Sequence, residues 1–188
     1  MIRLRLSAFI TAAALAGFSA GCTDRPPLAE PLPAATGPYR LGAGDELRIV
    51  VYDQPSLTNL YEVDQSGQVA FPLIGDVGAA DATTDELSAR IEARLSTAYL
   101  RDPDVTVEVA NYRPFFVLGE VGTPGQYPYV PGITAETAIA VAGGYTDRAN
   151  KWVVRLSRTI GGVLYEDRVA VIEPIRPGDT IYVPESMF

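Results

Sequence analysis

Apolar and polar residues alternate in short runs along most of the chain, which is the two-residue period of β-strands. The first runs are ELRIVVY, LYEVD and QVAFPLIG, and a turn containing Gly67 separates the second from the third, which predicts a hairpin. The period then changes, because Leu87, Ile91 and Leu95 recur every fourth residue. This spacing predicts one amphipathic helix whose apolar stripe faces a core.

Signals for the start and the end of this helix flank the stripe. Thr83 or Thr84 can cap its first turn, and acidic residues follow where the helix dipole favours negative charge. Pro103 disfavours helical backbone at the residue before it, so we expect the helix to end ahead of it. VTVEVANY then resumes the alternation, and the predicted order of this first unit is β-β-β-α-β.

A second unit begins near Arg113. PFFVLGEV predicts a strand, GTPGQYPY a turn with a short strand, and ITAETAIAVAGG a short helix that Thr134 caps and Gly143 and Gly144 end. KWVVRLSR, GVLYEDRVAVI and TIYVP add strands, with a Gly-Gly hairpin turn between the first two. The predicted fold class is α+β, with one short helix in each of two small β-rich units.

A Gly-Asp pair precedes the first strand, and a second pair precedes the last one. Gly44 and Gly178 tolerate a positive φ, and Asp45 and Asp179 can accept hydrogen bonds from nearby backbone amides. We interpret both pairs as structural turns that start strands, in preference to catalytic aspartates.

The N-terminal 38 residues differ from the rest of the chain. Residues 1–21 contain two arginines, an apolar stretch too short to span a bilayer and then small residues, which predicts a secretory signal peptide. Cys22 follows in SAGC, which resembles the lipobox of bacterial lipoproteins, so Cys22 is the predicted site of lipid attachment. Five prolines in residues 23–38 predict an extended tether, so residues 22–38 form an anchor and a linker.

Composition excludes several kinds of chemistry. The 188 residues contain no histidine and one cysteine, which rules out a His/Cys zinc site, an intrachain disulfide and nucleophile–histidine catalysis. A formal net charge of −8 disfavours nucleic acid as a partner. We therefore expect no metal site and no cofactor.

Two sets of side chains have alternative interpretations. One is a set of carboxylates that can serve as acid–base groups or cation ligands, although solvated turn and helix charges are the preferred interpretation: Asp76, Asp81, Asp85, Glu86 and Glu120. The other is aromatic. Tyr112, Tyr127 and Tyr129 can contact sugar rings or a neighbouring subunit, while Phe115 and Phe116 alternate so that one of them faces a core.

Residues 39–111, from YRLGAGDELRIVVYDQPSL to YLRDPDVTVEV, resemble the N-terminal domain of bacterial outer-membrane polysaccharide export proteins. Residues 112–188, which include FVLGEVGTPGQYPYVPGITAETAIAVAGGYT, resemble the soluble-ligand-binding β-grasp (SLBB) domain that follows it in that family. The motifs occur in the family's order. The resemblance therefore implies a small β-rich export domain with one amphipathic helix, followed by a β-grasp-like domain.

This resemblance also implies a function. Members of the family export capsular or exopolysaccharide as ring-shaped homo-oligomers, together with an inner-membrane chain-length regulator that is often a tyrosine kinase. We accordingly expect a protein at the outer membrane, lipid-anchored and facing the periplasm. Longer members end in an amphipathic helix that lines a pore, so we expect this chain to be a short form that relies on a separate outer-membrane β-barrel for the exported polysaccharide.

Two other functions stay open at this point. One is a monomeric periplasmic lipoprotein that recognises a soluble glycan. The other is a glycan-cleaving enzyme, which needs paired carboxylates across a cleft that this pattern does not mark, so we expect no enzymatic activity.

Overall fold

A computed structural model of the protein describes residues 37–186. Within them the chain forms ten strands and two helices, so the predicted α+β class is confirmed. The predicted signal peptide, Cys22 and nearly all of the predicted tether lie outside the described residues.

The first unit contains one three-stranded sheet and one two-stranded sheet. The larger sheet has the order β2-β1-β5 with antiparallel pairing, and its strands are β1 (Glu46–Val51), β2 (Asn59–Glu62) and β5 (Val105–Asn111). The smaller sheet pairs β3 (Gln68–Phe71) with β4 (Gly75–Gly78). Helix α1 (Thr84–Ala98) connects β4 to β5.

The predicted hairpin between LYEVD and QVAFPLIG is wrong. Strand β2 pairs with β1 and strand β3 pairs with β4, so the turn that contains Gly67 links two different sheets. The run QVAFPLIG breaks at Pro72, which has no amide to donate to a ladder, and Leu73 follows with a φ of 70°. The chain reverses there, and the order of the unit is β-β-β-β-α-β.

Helix α1 lies at the position that the spacing of its apolar residues predicts. Thr83 is the N-cap, and it forms a capping box with Glu86. Leu87, Ile91 and Leu95 are fully buried and pack in the first hydrophobic cluster with residues of β1, β3 and β5. The predicted core stripe is therefore confirmed.

The second unit is a five-stranded mixed sheet with one helix. Its strand order is β7-β6-β10-β8-β9, and the strands are β6 (Phe115–Gly119), β7 (Gly125–Tyr127), β8 (Val153–Ile160), β9 (Val163–Ala170) and β10 (Thr180–Val183). Strand β10 runs parallel to β6 and antiparallel to β8. Helix α2 (Ala135–Val141) is capped by Thr134, and its buried residues join the second hydrophobic cluster.

The two hydrophobic clusters are separate, one in each unit. In β6, Phe115 is fully buried in the second cluster, whereas Phe116 is 38% exposed on the opposite face of the sheet. Neither helix in residues 37–186 has the length and apolar character needed to cross a membrane.

Candidate functional site at the junction of the two Gly-Asp turns

The first Gly-Asp turn holds a fully buried carboxylate. Gly44 has a φ of 88°, and the amide of Asp45 donates to the carbonyl of Gly42 at 3.1 Å, which closes the turn. The Asp45 side chain is 0% exposed. Its Oδ2 accepts hydrogen bonds from the Gly42 amide at 2.8 Å and from the Tyr39 hydroxyl at 2.6 Å.

A second buried carboxylate lies in the turn before β10. Gly178 has a φ of 85°, and Asp179 is 0% exposed. Arg158, which is 5% exposed, donates from Nε to Oδ1 at 2.8 Å and from Nη2 to Oδ2 at 2.7 Å. The Arg176 amide adds a third bond to Oδ2 at 2.7 Å. This bidentate geometry compensates for removing both charges from water.

One arginine in the segment between the two units contacts both turns. The amide of Arg113 donates to Asp45 Oδ1 at 2.9 Å, and its Nη1 lies 3.3 Å from Asp45 Oδ2. Its Nε donates to the carbonyl of Pro177 at 3.2 Å. Arg113 therefore bridges the turn that opens the first sheet and the turn that starts the last strand.

Glycines in both turns leave the space that Arg113 occupies. A Cβ atom at Gly42 would lie 2.0 Å from Arg113 Nη1, and a Cβ atom at Gly178 would lie 2.8 Å from Arg113 Nε. Distances under about 3 Å are incompatible with normal van der Waals contact. The two turns thus need glycine for packing around the guanidinium, and Gly178 needs it for its backbone conformation as well.

A row of tyrosines covers the junction. The Tyr112 ring packs edge-on against Tyr39 at 5.1 Å and against Tyr129 at 5.4 Å, and Arg113 lies 5.7 Å from the centre of the Tyr39 ring. Burial and the hydrogen bond to Asp45 raise the pKa of the Tyr39 phenol well above its usual value. The phenol therefore remains a donor to Asp45 throughout the neutral pH range.

A cleft of about 510 Å³ opens beside this junction. Its walls come from both units, namely the turn at residues 39–43, the turn at residues 65–67, the end of the β8–β9 hairpin at residues 158–162 and the turn at residues 176–179. Four arginines and two aspartates line it: Arg40, Arg113, Arg158, Arg176, Asp81 and Asp179.

These arginines differ in whether their side chains already have a partner. Arg113 and Arg158 are paired with the buried aspartates, and Arg40 donates to the Asp81 carbonyl and lies 3.7 Å from Glu86. The Arg176 side chain makes no hydrogen bond or ion pair with any residue between 37 and 186 (its backbone amide bonds Asp179). Among the described residues, Arg176 is therefore the lining arginine whose guanidinium is uncommitted.

Comparison with known proteins identifies both units. Residues 33–110 match the polysaccharide biosynthesis/export protein family, and residues 114–169 match the SLBB domain. The chain therefore contains a polysaccharide biosynthesis/export domain followed by an SLBB domain. Its first unit is the export domain and its second unit is the SLBB domain, in the predicted order.

Several curated proteins are similar to the chain. The exopolysaccharide production protein ExoF of Rhizobium meliloti is 38% identical over 118 residues, which cover 56% of this chain and 28% of ExoF. The EPS I polysaccharide export outer membrane protein EpsA of Ralstonia nicotianae is 32% identical over 155 residues, which cover 68% of this chain and 40% of EpsA. The polysialic acid transport protein KpsD of Escherichia coli is 23% identical over 117 residues, which cover 61% of this chain and 21% of KpsD. The chain thus spans well under half the length of these relatives.

The remaining glycines singled out in the sequence lie in turns of both domains. Gly67 has a φ of 74°, lines the cleft, and has no room for a Cβ atom because the Ala80 Cβ would be 2.4 Å away. Gly143 and Gly144 follow helix α2 with φ values of 85° and 79°. These two glycines lie in the SLBB domain, outside the residues that line the cleft.

The three tyrosines proposed for sugar or subunit contact do not lie together. Tyr112 and Tyr129 belong to the row at the domain junction, where they pack within the chain. Tyr127 stacks on Phe115 at 6.0 Å, and its hydroxyl donates to the Thr123 carbonyl. None of the three lines the cleft.

The acidic residues that had an alternative catalytic interpretation are dispersed. Glu86 belongs to the capping box of α1, and Glu120 accepts from Thr146 and lies 3.5 Å from Arg148. Asp81 lies at the cleft with a φ of 58°. No group of three or more potential metal ligands occurs within residues 37–186.

The arginines of the junction were missed by sequence reasoning. A buried aspartate requires a cation or several donors, which is a signal that some arginine must approach each turn. The sequence contains many arginines at suitable separations, however, so it does not select Arg113 for Asp45 or Arg158 for Asp179. Gly42 was missed because its need for glycine arises from Arg113, which is 71 positions away in the chain.

Proposed function

We propose that the protein is a component of a machine that exports capsular or exopolysaccharide across the cell envelope. The observation that carries this proposal is the order of its domains, an export domain followed by an SLBB domain. The names of the similar proteins ExoF, EpsA and KpsD support it, since they refer to exopolysaccharide production, polysaccharide export and polysialic acid transport. The role is transport, which is not an enzyme class.

The protein acts at the outer membrane or in the periplasm. Its relative EpsA is named as an outer membrane protein, and the predicted signal peptide agrees with this location. Acylation of Cys22 would attach the chain to the membrane, and the proline-rich residues after it would hold the two folded domains on the periplasmic side.

Assembly into a ring-shaped homo-oligomer gives the exported polymer a passage. Two features support such assembly. Strand β9 (Val163–Ala170) is an eight-residue edge strand of the SLBB sheet, and an edge presents unpaired backbone groups to a neighbour. The face of that sheet opposite α2 exposes Phe116, Leu118 and Tyr182, which form an apolar strip across β6 and β10.

The partners of such a ring lie in both membranes. An inner-membrane chain-length regulator, often a tyrosine kinase, works with the ring, and a separate outer-membrane protein provides the final opening. The exported polysaccharide is the cargo.

Deletion of the gene tests the export role. We expect surface polysaccharide to disappear while polymer is retained inside the cell or the periplasm, and the wild-type gene in trans should restore export. A deletion strain with normal surface polysaccharide would contradict the proposal. Immunolabelling of the polymer with and without permeabilisation measures both pools.

A monomeric glycan-binding lipoprotein is the second candidate, and the cleft between the domains favours it. The two candidates differ in size in solution. Light scattering of the purified full chain in detergent should give the mass of a closed oligomer if the export ring is correct, and the mass of one chain if the protein is a monomeric receptor.

A further inference from the structure

We propose that the cleft between the export domain and the SLBB domain binds a short segment of acidic glycan, with Arg176 pairing with a sugar carboxylate. The identity of the ligand as a glycan rests on the proposed export function. The site itself rests on the geometry and charge of the cleft.

The cleft has the dimensions of a small-molecule site. Its volume is about 510 Å³, within the roughly 300–1,000 Å³ of ligand pockets in proteins. Its walls come from loops of both domains, and the junction at Arg113 fixes these loops relative to one another. A site of this kind is largely formed before the ligand arrives, which lowers the entropic cost of binding.

The charge of the cleft contrasts with that of the chain. The whole protein has a formal net charge of −8, but four arginines and two aspartates line the cleft. Asp179 is fully buried and paired with Arg158, and Arg113 is paired with the fully buried Asp45, which does not itself line the cleft. Within residues 37–186, the guanidinium of Arg176 is therefore available to pair with an anion. Its planar donors match the two oxygens of a carboxylate.

The other walls suit a sugar. Gln65, Ser66 and Thr159 line the cleft with amide and hydroxyl groups that can bond to sugar hydroxyls, and Tyr39 adds an aromatic ring. Gly161 and Gly162 form the tip of the β8–β9 hairpin, and added Cβ atoms there would meet nothing within 4 Å. The absence of side chains at this tip keeps that side of the cleft open to a polymer.

Titration calorimetry of the purified full chain in detergent tests the proposal. The probes are a galacturonic acid trimer and the same trimer with its carboxyl groups methyl-esterified, which has the same sugar rings without the charge. We expect saturable binding of the acid, and binding of the ester at least fivefold weaker. The affinity for the acid should fall as salt is raised, because the pair is accessible to solvent.

Two variants and one control locate the site. Arg176→Gln should weaken binding of the acidic trimer about tenfold, which corresponds to the loss of one charged hydrogen-bonded contact. Arg168→Gln makes the same change of charge on the exposed strand β9, away from the cleft, and should leave the affinity unchanged. Ala43→Trp should block binding by filling the cleft, while thermal melting verifies that the variant is folded.

Several outcomes would overturn the proposal. They are no binding of either trimer, equal binding of acid and ester, or equal loss in Arg176→Gln and Arg168→Gln. A negative titration combined with lost surface polysaccharide in the deletion strain would reject this site and leave the export function standing. Binding at Arg176 combined with normal surface polysaccharide would reject export and leave the site standing.

Discussion

The substitution Gly42→Ala tests how the two domains are joined. It adds one methyl group, whose carbon would lie 2.0 Å from Arg113 Nη1 and 2.8 Å from Arg113 Cζ. Gly42 does not have a left-handed φ, so its backbone accommodates alanine. The guanidinium must therefore withdraw by more than 1 Å to reach normal contact distance, which separates it from Asp45 and Pro177.

The cost follows from the bonds that Arg113 loses. Its contact with Asp45 is 3.3 Å long and its side chain is 24% exposed, so we place that loss at the low end of the roughly 1.5–3 kcal/mol for charged hydrogen bonds. The bond to the Pro177 carbonyl adds about 1 kcal/mol. Alanine restricts the unfolded chain more than glycine does, which stabilises the folded protein by about 0.4–1 kcal/mol. We expect Gly42→Ala to destabilise the protein by about 1.5–2 kcal/mol.

The same substitution in an Arg113→Ala background gives the decisive comparison. With the guanidinium absent, Gly42→Ala should be neutral or stabilising by about 0.5 kcal/mol, so the coupling energy between the two sites is about 1.5–2.5 kcal/mol. Gly78→Ala is the matched control, since a Cβ atom at Gly78 meets nothing within 4 Å. An equal cost of Gly42→Ala in both backgrounds would refute the packing argument.

Urea denaturation followed by far-UV circular dichroism is the suitable assay. The single tryptophan, Trp152, is 81% exposed in the folded protein, so its fluorescence changes little on unfolding. Comparison of the m-values with that of the wild type shows whether each variant still unfolds in the same way.

Three further predictions concern other parts of the chain. Mass spectrometry of membrane-extracted protein should find an acylated N-terminal Cys22, and a free thiol there would contradict lipidation. Ile91→Ala should cost about 2–4 kcal/mol in urea titrations because Ile91 is fully buried, whereas exposed Ser96→Ala should cost less than about 0.5 kcal/mol. Folding raises the pKa of Tyr39 above 10.0, so the contribution of this group to the free energy of unfolding is present below pH 10 and is lost as the pH rises further. Tyr39→Phe should therefore make the decline of the free energy of unfolding above pH 10 shallower. An unchanged slope of the free energy of unfolding against pH would contradict this prediction.

Much of the fold was predictable because it depends on local patterns. The stripe of α1 and the caps at Thr83 and Thr134 follow from periodicity and helix-end chemistry, which involve residues close together in the chain. The pairing of β2 was not predictable in this way. A turn at Gly67 agrees with a hairpin and with a crossing between sheets, and the choice depends on which strand offers a free edge in the folded domain.

The candidate site was predictable only in part for the same reason. The two Gly-Asp pairs were recognised as turns from their residue types, but their burial and their arginine partners were not. Arg113 lies 68 positions from Asp45, and Arg158 lies 21 positions from Asp179. Such pairings are specified by the packing of the whole chain, and a single sequence provides no signal that selects them.

The way in which the domains are joined has a consequence for assembly. The two hydrophobic clusters stay separate, and the contacts between the domains include the directional bonds of Arg113 and edge-on tyrosine pairs. Apolar surfaces slide over one another at little cost, whereas hydrogen bonds to a buried carboxylate are lost when the angle changes. The junction therefore fixes the angle between the export domain and the SLBB domain. In the homo-oligomeric ring that we propose, that angle would set the direction in which each subunit meets the next, so a substitution at Arg113 should alter the closure of the ring as well as the stability of the subunit.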